Sequence, residues 1–430
     1  MPGGRGVRFR WSPETPSHPD HERDSFGQVR LDPRPETVFV VAGAVQAALE
    51  WAFWLLIIVW WVVELELSSL ALVLTGTVFT ATLLVAEVPT GVLADSVSRK
   101  WSVVLANVGM GVAMIMTVAN PRLWAILAAQ GLYALSWSFQ SGADIAWVTA
   151  EVGEETDTER LLLRAHRAGL LAGCALLPLA ALVGSWSLSG GVAALGACSV
   201  ILGLVLARVM VDDASTPDPD ERPAFGEILR LGVELVGTRP RLRVLLVVVL
   251  IAGLPSDALD RLGPRRFFEA GDWGDDTLWA NLVVLLAMAA FGLLVNLVVS
   301  ASAERGRTHP LLGGVLLLVA GLGAALVAGS GAAPVIAVGL MTQDAARESL
   351  DPVIENWVNA ASTDRVRATV HSLVSQAFSV SEVVGGLVVS LVVAQLDASA
   401  ALALACGVLV LAGVVSIVGG RECPNTPPQA

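Results

Sequence analysis

Apolar stretches of about 18 residues or more recur along almost the whole chain, each long enough to cross roughly 30 Å of hydrocarbon. Charged or Pro/Gly breaks separate them into twelve candidate spans. The first six are 38–63, 70–93, 101–118, 123–148, 169–186 and 190–210. A polar stretch containing "DDASTPDPDERP" follows and cannot span a membrane. Six more spans come after it, at 244–262, 278–301, 311–327, 332–357, 370–394 and 398–418. Only 15% of the 430 residues are charged, against about a quarter in soluble proteins. The expected fold is an all-α membrane protein: twelve transmembrane helices in two six-helix, pseudo-symmetric bundles. The corresponding organisation is a disordered cytoplasmic tail at 1–36, a bundle at 37–211, a cytoplasmic linker at 212–243, a second bundle at 244–420 and a tail at 421–430. Residues 1–36 are polar and rich in Pro and Arg, and read as that tail rather than as a secretory signal.

Cations set the expected orientation. With the amino terminus in the cytoplasm, about 22 of the 27 Lys and Arg residues fall in cytoplasmic loops, tails and helix ends. Both termini are therefore expected inside. Trp60 and Trp61 then sit at the outer interface as an aromatic belt. One lysine against 26 arginines points to a GC-rich genome, so a bacterial cell membrane is the expected location. The formal charge of -12 says little about partners, because placement matters more than the sum.

Placement is informative. Spans three, six, nine and twelve contain no acidic residue and suit a lipid-facing position. The acids lie elsewhere: Glu50 in span one, Glu87 in two, Asp144 in four, Asp257 and Asp260 in seven, Asp344, Glu348, Asp351 and Glu355 in ten, and Glu382 in eleven. Charge inside a membrane is costly, so these groups should face a watery cavity or each other. Repeats of three helices around a midplane cavity are how secondary transporters are built.

The second span runs into "EVPTGVLADSVSRK". Gly91, Leu93, Ala94, Asp95, Arg99 and Lys100 here resemble the signature between helices two and three of the major facilitator superfamily. "SGADIAWVTAE", "DALDRLGP" and "RATVHSLVSQAFSVSEVVGG" resemble its bacterial drug-efflux-like branch. The resemblance covers residues from about 38 to 418. It implies secondary active transport by alternating access, proton-coupled export of small organic or drug-like molecules, and a conformational latch at Gly91, Asp95, Arg99 and Lys100. Gly91 allows close helix approach, and Asp95 lies where it meets the positive end of span eleven. One departure concerns the antiporter pattern of helix five. Gly169 and Gly173 are present in "AGLLAGCALLPLAALVG", but the proline, Pro178, is displaced.

The residues also nominate a site. Glu50, Asp344 and Glu382 lie near the centres of their spans and are the candidate proton-coupling groups, because a desolvated carboxyl exchanges its proton more readily near neutral pH. Arg347 lies one turn from Asp344 and is spaced to pair with Asp351, whereas no cation neighbours Glu50 or Glu382 on its own helix. Candidate substrate-cavity residues are Gln130, Tyr133, Trp137 and Gln140 in span four, Arg347 in span ten, and Ser375, Gln376 and Ser379 in span eleven. Aromatic groups beside carboxylates, as at Trp51 and Trp54 around Glu50, suit an apolar, cationic organic molecule. Asp257, Asp260 and Arg261 form a candidate outer gate; the alternative is an i, i+4 salt bridge capping the helix.

The partners expected are a small-molecule substrate, protons and membrane lipids, with no nucleic acid, and a monomer is expected. No phosphate-binding glycine loop, nucleophile–base pair or metal constellation is present, so neither an enzyme nor ATP-driven transport is indicated and no cofactor is expected. Cys174, Cys198, Cys406 and Cys423 have no paired spacing. An importer with the same fold and a non-transporting sensor or lipid-handling protein are the competing readings. The latch reading predicts that Asp95→Asn or Gly91→Leu leaves membrane abundance unchanged but removes most transport. Normal flux in both variants would reduce Arg99 and Lys100 to topology determinants.

Overall fold

The computed structural model describes residues 34–96, 98–140, 142–152, 158–211, 239–304, 309–362 and 367–421. The expected tails and linker fall mostly outside those residues. Among the described residues, ten helices are long and apolar enough to cross a membrane. Two further crossings are each built from two shorter helices in sequence, Leu123–Gln140 with Ala143–Val152, and Ala333–Glu348 with Leu350–Ala361. Ten plus two gives the expected twelve.

In chain order they are α1 (Pro35–Glu64), α2 (Ser69–Ser96), α3 (Arg99–Ala119) and the two-piece α4 (Leu123–Gln140 with Ala143–Val152). Then come α5 (Thr158–Gly184), α6 (Leu188–Val209), α7 (Pro240–Ala270) and α8 (Thr277–Glu304). The last four are α9 (His309–Gly329), the two-piece α10 (Ala333–Glu348 with Leu350–Ala361), α11 (Arg367–Gln395) and α12 (Ala398–Arg421). α5 is longer than its apolar run, because "RLLLRAHRA" continues the helix toward Thr158. Local chemistry marks several starts. Ser98, Ser187 and Asp397 accept from the backbone N–H of Trp101, Gly190 and Ala400, and Pro35 and Pro240 occupy first turns.

The halves repeat one another in detail. α3 packs on α6 and α9 on α12. The first pair meets at Gly111 and Gly196, the second at Gly314 and Gly413. A Cβ on Gly196 would lie 2.6 Å from the Gly111 carbonyl, and one on Gly413 would lie 2.9 Å from that of Gly314. Only glycine permits backbones this close. Outward from these contacts, the four helices expose apolar side chains such as Leu105, Leu204, Leu322 and Leu411. α4 and α10, equivalent under the repeat, are both interrupted. Gly142, at φ +80°, breaks the first, and the buried Ser349 divides the second.

A third equivalence joins α1 and α7, which each contain a π-helical turn, Trp60–Glu64 and Ala258–Leu262. Both turns lie toward the end of the bundle opposite the start of α1, here called the far face. Contacts between the halves gather there. Thr77 of α2 donates to Asp257 of α7 at 2.9 Å, and Asn281 of α8 donates to the Leu55 carbonyl at 3.1 Å. Arg265 reaches the Leu67 carbonyl at 2.5 Å. Glycine again allows the approach, since a Cβ on Gly386 of α11 would collide with both Thr77 and Asp257.

Bulk at that glycine penalises the arrangement in which the far face is closed. Overpacking of this kind costs about 1–3 kcal/mol, which shifts a two-state equilibrium roughly 5- to 150-fold. Gly386→Val should therefore populate longer distances between spin labels at the exposed positions Glu66 and Asp272. An unchanged distance distribution would show that this contact does not hold the far face shut.

Candidate functional site

Three helices of the second half bring their ionisable groups to one region. α7 supplies Asp257, Asp260 and Arg261, α10 supplies Asp344 and Arg347, and α11 supplies Glu382. An i, i+4 spacing relates Asp257 to Arg261, yet they form no salt bridge, because the π turn begins between them and re-aims the chain. Asp257 instead accepts from Thr77 across the interface between the halves. Arg261 lies over the ring of Trp54 at 4.8 Å and that of Trp61 at 5.9 Å, both on α1. The candidate outer-gate residues Asp257 and Arg261 therefore touch the opposite half directly.

Asp260 turns the other way. It pairs with Arg347 in a two-pronged contact of 2.6 and 3.3 Å, the geometry a guanidinium and a carboxylate favour. Sequence spacing had suggested Asp351 as the partner of Arg347. Asp260 takes it because α7 and α10 face each other, while Asp351 lies beyond the interruption at Ser349. Gln343 also accepts from Arg347, at 3.3 Å. Glu382 has no cation within four positions on its own helix, but Arg347 and Arg261 both approach it through space, and Ser256 lies beside it. Asp344 lies near Arg347 without an ion pair.

These residues border a cleft with two lobes. One, of about 290 Å³, lies between α1, α7, α8 and α10, and Asp260, Arg261, Asn281, Gln343 and Asp344 are its polar lining. The other, of about 550 Å³, follows α10 from Asp344 past Glu348 and Asp351 to Trp357, with Glu382 and Phe378 opposite. Trp54, Asp260 and Asp344 border both lobes. The cleft thus runs from the middle of the bundle toward the face where α1 begins. Of the α11 candidates, Ser375 is exposed and Gln376 and Ser379 are partly exposed, but none of the three lines either lobe, where α11 contributes Phe378 and Glu382.

The first half holds a different constellation. Glu50 of α1 lies beside Trp54 and Tyr133, with no cation paired to it among the described residues. Phe53 stacks on Tyr133 at 5.3 Å, and Phe79 and Trp137 lie 6.1 and 6.5 Å from the same ring. Tyr133 and Gln130 are each only 1% exposed, so these two cavity candidates are enclosed behind the aromatic cluster. Gln140 is a polar bridge. It hydrogen-bonds Gln46 of α1 and accepts from Asn107 of α3 at 3.2 Å, and the Asn107 carbonyl accepts from Ser199 of α6 at 2.8 Å.

Of the latch residues, Gly91 and Asp95 lie in the last turns of α2, and their side chains are outside the described residues. Arg99 donates to the Ala146 carbonyl in the second piece of α4 at 3.1 Å, and Lys100 lies 5.7 Å from the ring of Trp101. Glycines join α5 to α1: a Cβ on Gly173 would sit 2.9 Å from the Trp51 ring, and one on Gly169 would sit 3.3 Å from Ala47. Trp60 and Trp61 are not an interface belt. They are 4% and 0% exposed, taken inward by the π turn that lets Trp61 meet Arg261. Sequence reading missed Thr77, Gln343 and Asn281, whose spacing carries no signal. It placed Trp61 in the wrong setting, although a tandem Trp near a helix end was visible.

The chain is a multi-pass membrane protein with the major facilitator fold. No family model matches it, and no curated protein does. Solved structures do. A mutant form of the nucleoside transporter NupG is 13% identical over 90% of this chain and 99% of that one, with a TM-score of 0.77. A POT family transporter in complex with a thioalcohol-conjugated peptide is 12% identical over 93% and 98%, with a TM-score of 0.71. A bacterial homologue of the human lysosomal transporter Spinster, inward-facing and unoccupied, is 12% identical over 90% and 98%, at 0.68. At such identities the likeness is one of fold.

The Asp260–Arg347 contact joins two helices of one half beside the cleft. Its Asp260 side chain is 51% exposed, so the pair contributes about 1 kcal/mol or less to stability. Asp260→Asn and Arg347→Gln should each lower the apparent melting temperature by no more than a few degrees. The double variant should lose less than the sum of the two, a coupling that shows the charges interact. Strict additivity would mean the contact is not held in solution.

Proposed function

We propose that this protein is a secondary transporter that moves a small organic molecule by alternating access, driven by protons and in the export direction. The single observation that carries the reading is the asymmetry of the charged cleft. Toward one face it is lined and accessible, while at the other the halves are joined through Asp257 to Thr77 and Arg261 to Trp54 and Trp61. A site between two pseudo-symmetric halves, sealed from one side at a time, is the physical requirement for alternating access. The distribution of cations supports a cytoplasmic location for both termini, which makes the accessible face the cytoplasmic one.

Coupling is assigned to Glu50. It lies in the first half beside aromatic rings and has no paired cation, whereas Asp344 and Glu382 both lie near Arg347. A carboxyl free of a fixed countercharge can alternate between ionised and neutral forms without breaking an ion pair. Export follows the drug-efflux-like motifs, and the latch acts at the end of α2. Uptake by the same machinery is the second reading, favoured by the displaced Pro178 in α5, which departs from the antiporter pattern.

Everted vesicles separate the two directions. An exporter accumulates substrate inside them when the lumen is acidified, whereas an importer does not. Glu50→Gln should abolish accumulation driven by a proton gradient while retaining substrate exchange across the membrane. A variant that still concentrates substrate would move the proton site to Glu382, and a protein with no flux under any gradient would end the transport reading.

A further inference from the structure

Arg261 is in an unusual position for a guanidinium. It is only 9% exposed, yet it makes no hydrogen bond or ion pair with any described residue, and its Nε is enclosed and unpartnered. A guanidinium carries five N–H donors and is always charged. The indole faces of Trp54 and Trp61 offset part of that charge, but they accept none of its hydrogen bonds in the manner of an oxygen. Asp257 lies close by, with its Oδ1 and the Arg261 Nε both against Gly76, but no hydrogen bond or ion pair joins the two. Arg261 lines the smaller lobe of the cleft with Asp260, Asn281, Gln343 and Asp344, and the rest of that wall is apolar, with Ile58, Leu259, Phe267, Val284 and Met288.

The other lobe has the opposite shortage. Asp260 is matched by Arg347, but Asp344 and Glu382 have no ion pair among the described residues, and both border this lobe. The cleft therefore holds unmatched donors at Arg261, and carboxylates without an ion pair at Asp344, which shares the smaller lobe with Arg261, and at Glu382 in the larger lobe. A simple cation would leave Arg261 unsatisfied, and a simple anion would meet Asp344 and Glu382 with like charge. A ligand that meets both Arg261 and these carboxylates removes each mismatch at once.

We propose that the substrate is an amphipathic zwitterion. Its anionic group, a carboxylate or phosphate, is held by Arg261, its ammonium group faces Asp344 and Glu382, and its apolar body lies against the wall formed by α7 and α8. The lobes, of about 290 and 550 Å³, suit a drug-sized molecule. This deepens the transport reading and rests on it only for the identity of the cleft as a substrate site.

Equilibrium binding to the purified full chain in detergent, with no ion gradient, tests it. The probes share one apolar body: 4-phenyl-phenylalanine, 2-(4-biphenylyl)ethylamine without the carboxylate, and 3-(4-biphenylyl)propanoic acid without the amine. The amino acid should bind at least tenfold more tightly than either singly charged relative. Arg261→Gln should erase its advantage over the amine, and Asp344→Asn with Glu382→Gln should erase its advantage over the acid. The comparison among probes on the unaltered protein stands even if a variant fails to fold. A singly charged probe binding as well as the amino acid, no binding of any probe at millimolar concentration, or a preference that survives both sets of substitutions overturns the proposal. A protein that discriminates the zwitterion yet moves no solute would instead refute the transport reading alone.

Discussion

An unmatched charge cannot be left in hydrocarbon, and the second half of this molecule is arranged around that constraint. Six ionisable groups from α7, α10 and α11 converge on one region instead of being dispersed. Only one pair among these six, Asp260 with Arg347, closes as a salt bridge. Asp257 and Arg261 are held by partners from the first half, Thr77 and two indoles, while Asp344 and Glu382 have no ion pair among the described residues. Charge is tolerated there because a cleft reaches it.

The same groups link chemistry to conformation. Thr77, Trp54 and Trp61 belong to the first half, so the contacts that stabilise Asp257 and Arg261 also close the far face. Opening that face must separate them. A ligand that supplies acceptors to Arg261 from within the cleft would compete with the rings for its charge, which couples occupancy to closure through differential contacts. Glycine at positions 76 and 386 is what lets α2 and α11 come close enough for the arrangement to form.

Folds of this kind carry many cargoes. Solved transporters that share this fold include proteins described by nucleosides and by a conjugated peptide, at 13% and 12% identity. A shared backbone with so little sequence in common leaves cargo to the side chains in the cleft. Here those side chains are acidic along α10, aromatic at Trp54, Trp357 and Phe378, and cationic at Arg261.

Much was legible in the linear chain. Twelve apolar runs, their grouping in sixes, and the confinement of acids to particular spans follow from hydropathy and spacing, because crossing hydrocarbon demands length and apolarity of each helix separately. Glu50, Asp344 and Glu382 were visible for the same reason, as isolated acids in apolar runs. Pairing was not legible. Arg347 looked matched to Asp351 four residues on, but binds Asp260, 87 positions earlier in the chain. Trp61 looked like a membrane-surface residue and is buried beneath Arg261. Two π turns and the break at Ser349 decide these outcomes by rotating side chains away from the regular 3.6-residue pattern. Periodicity assigns a residue to a face of its own helix, whereas its partner depends on which helix packs against that face, and only the tertiary structure decides that.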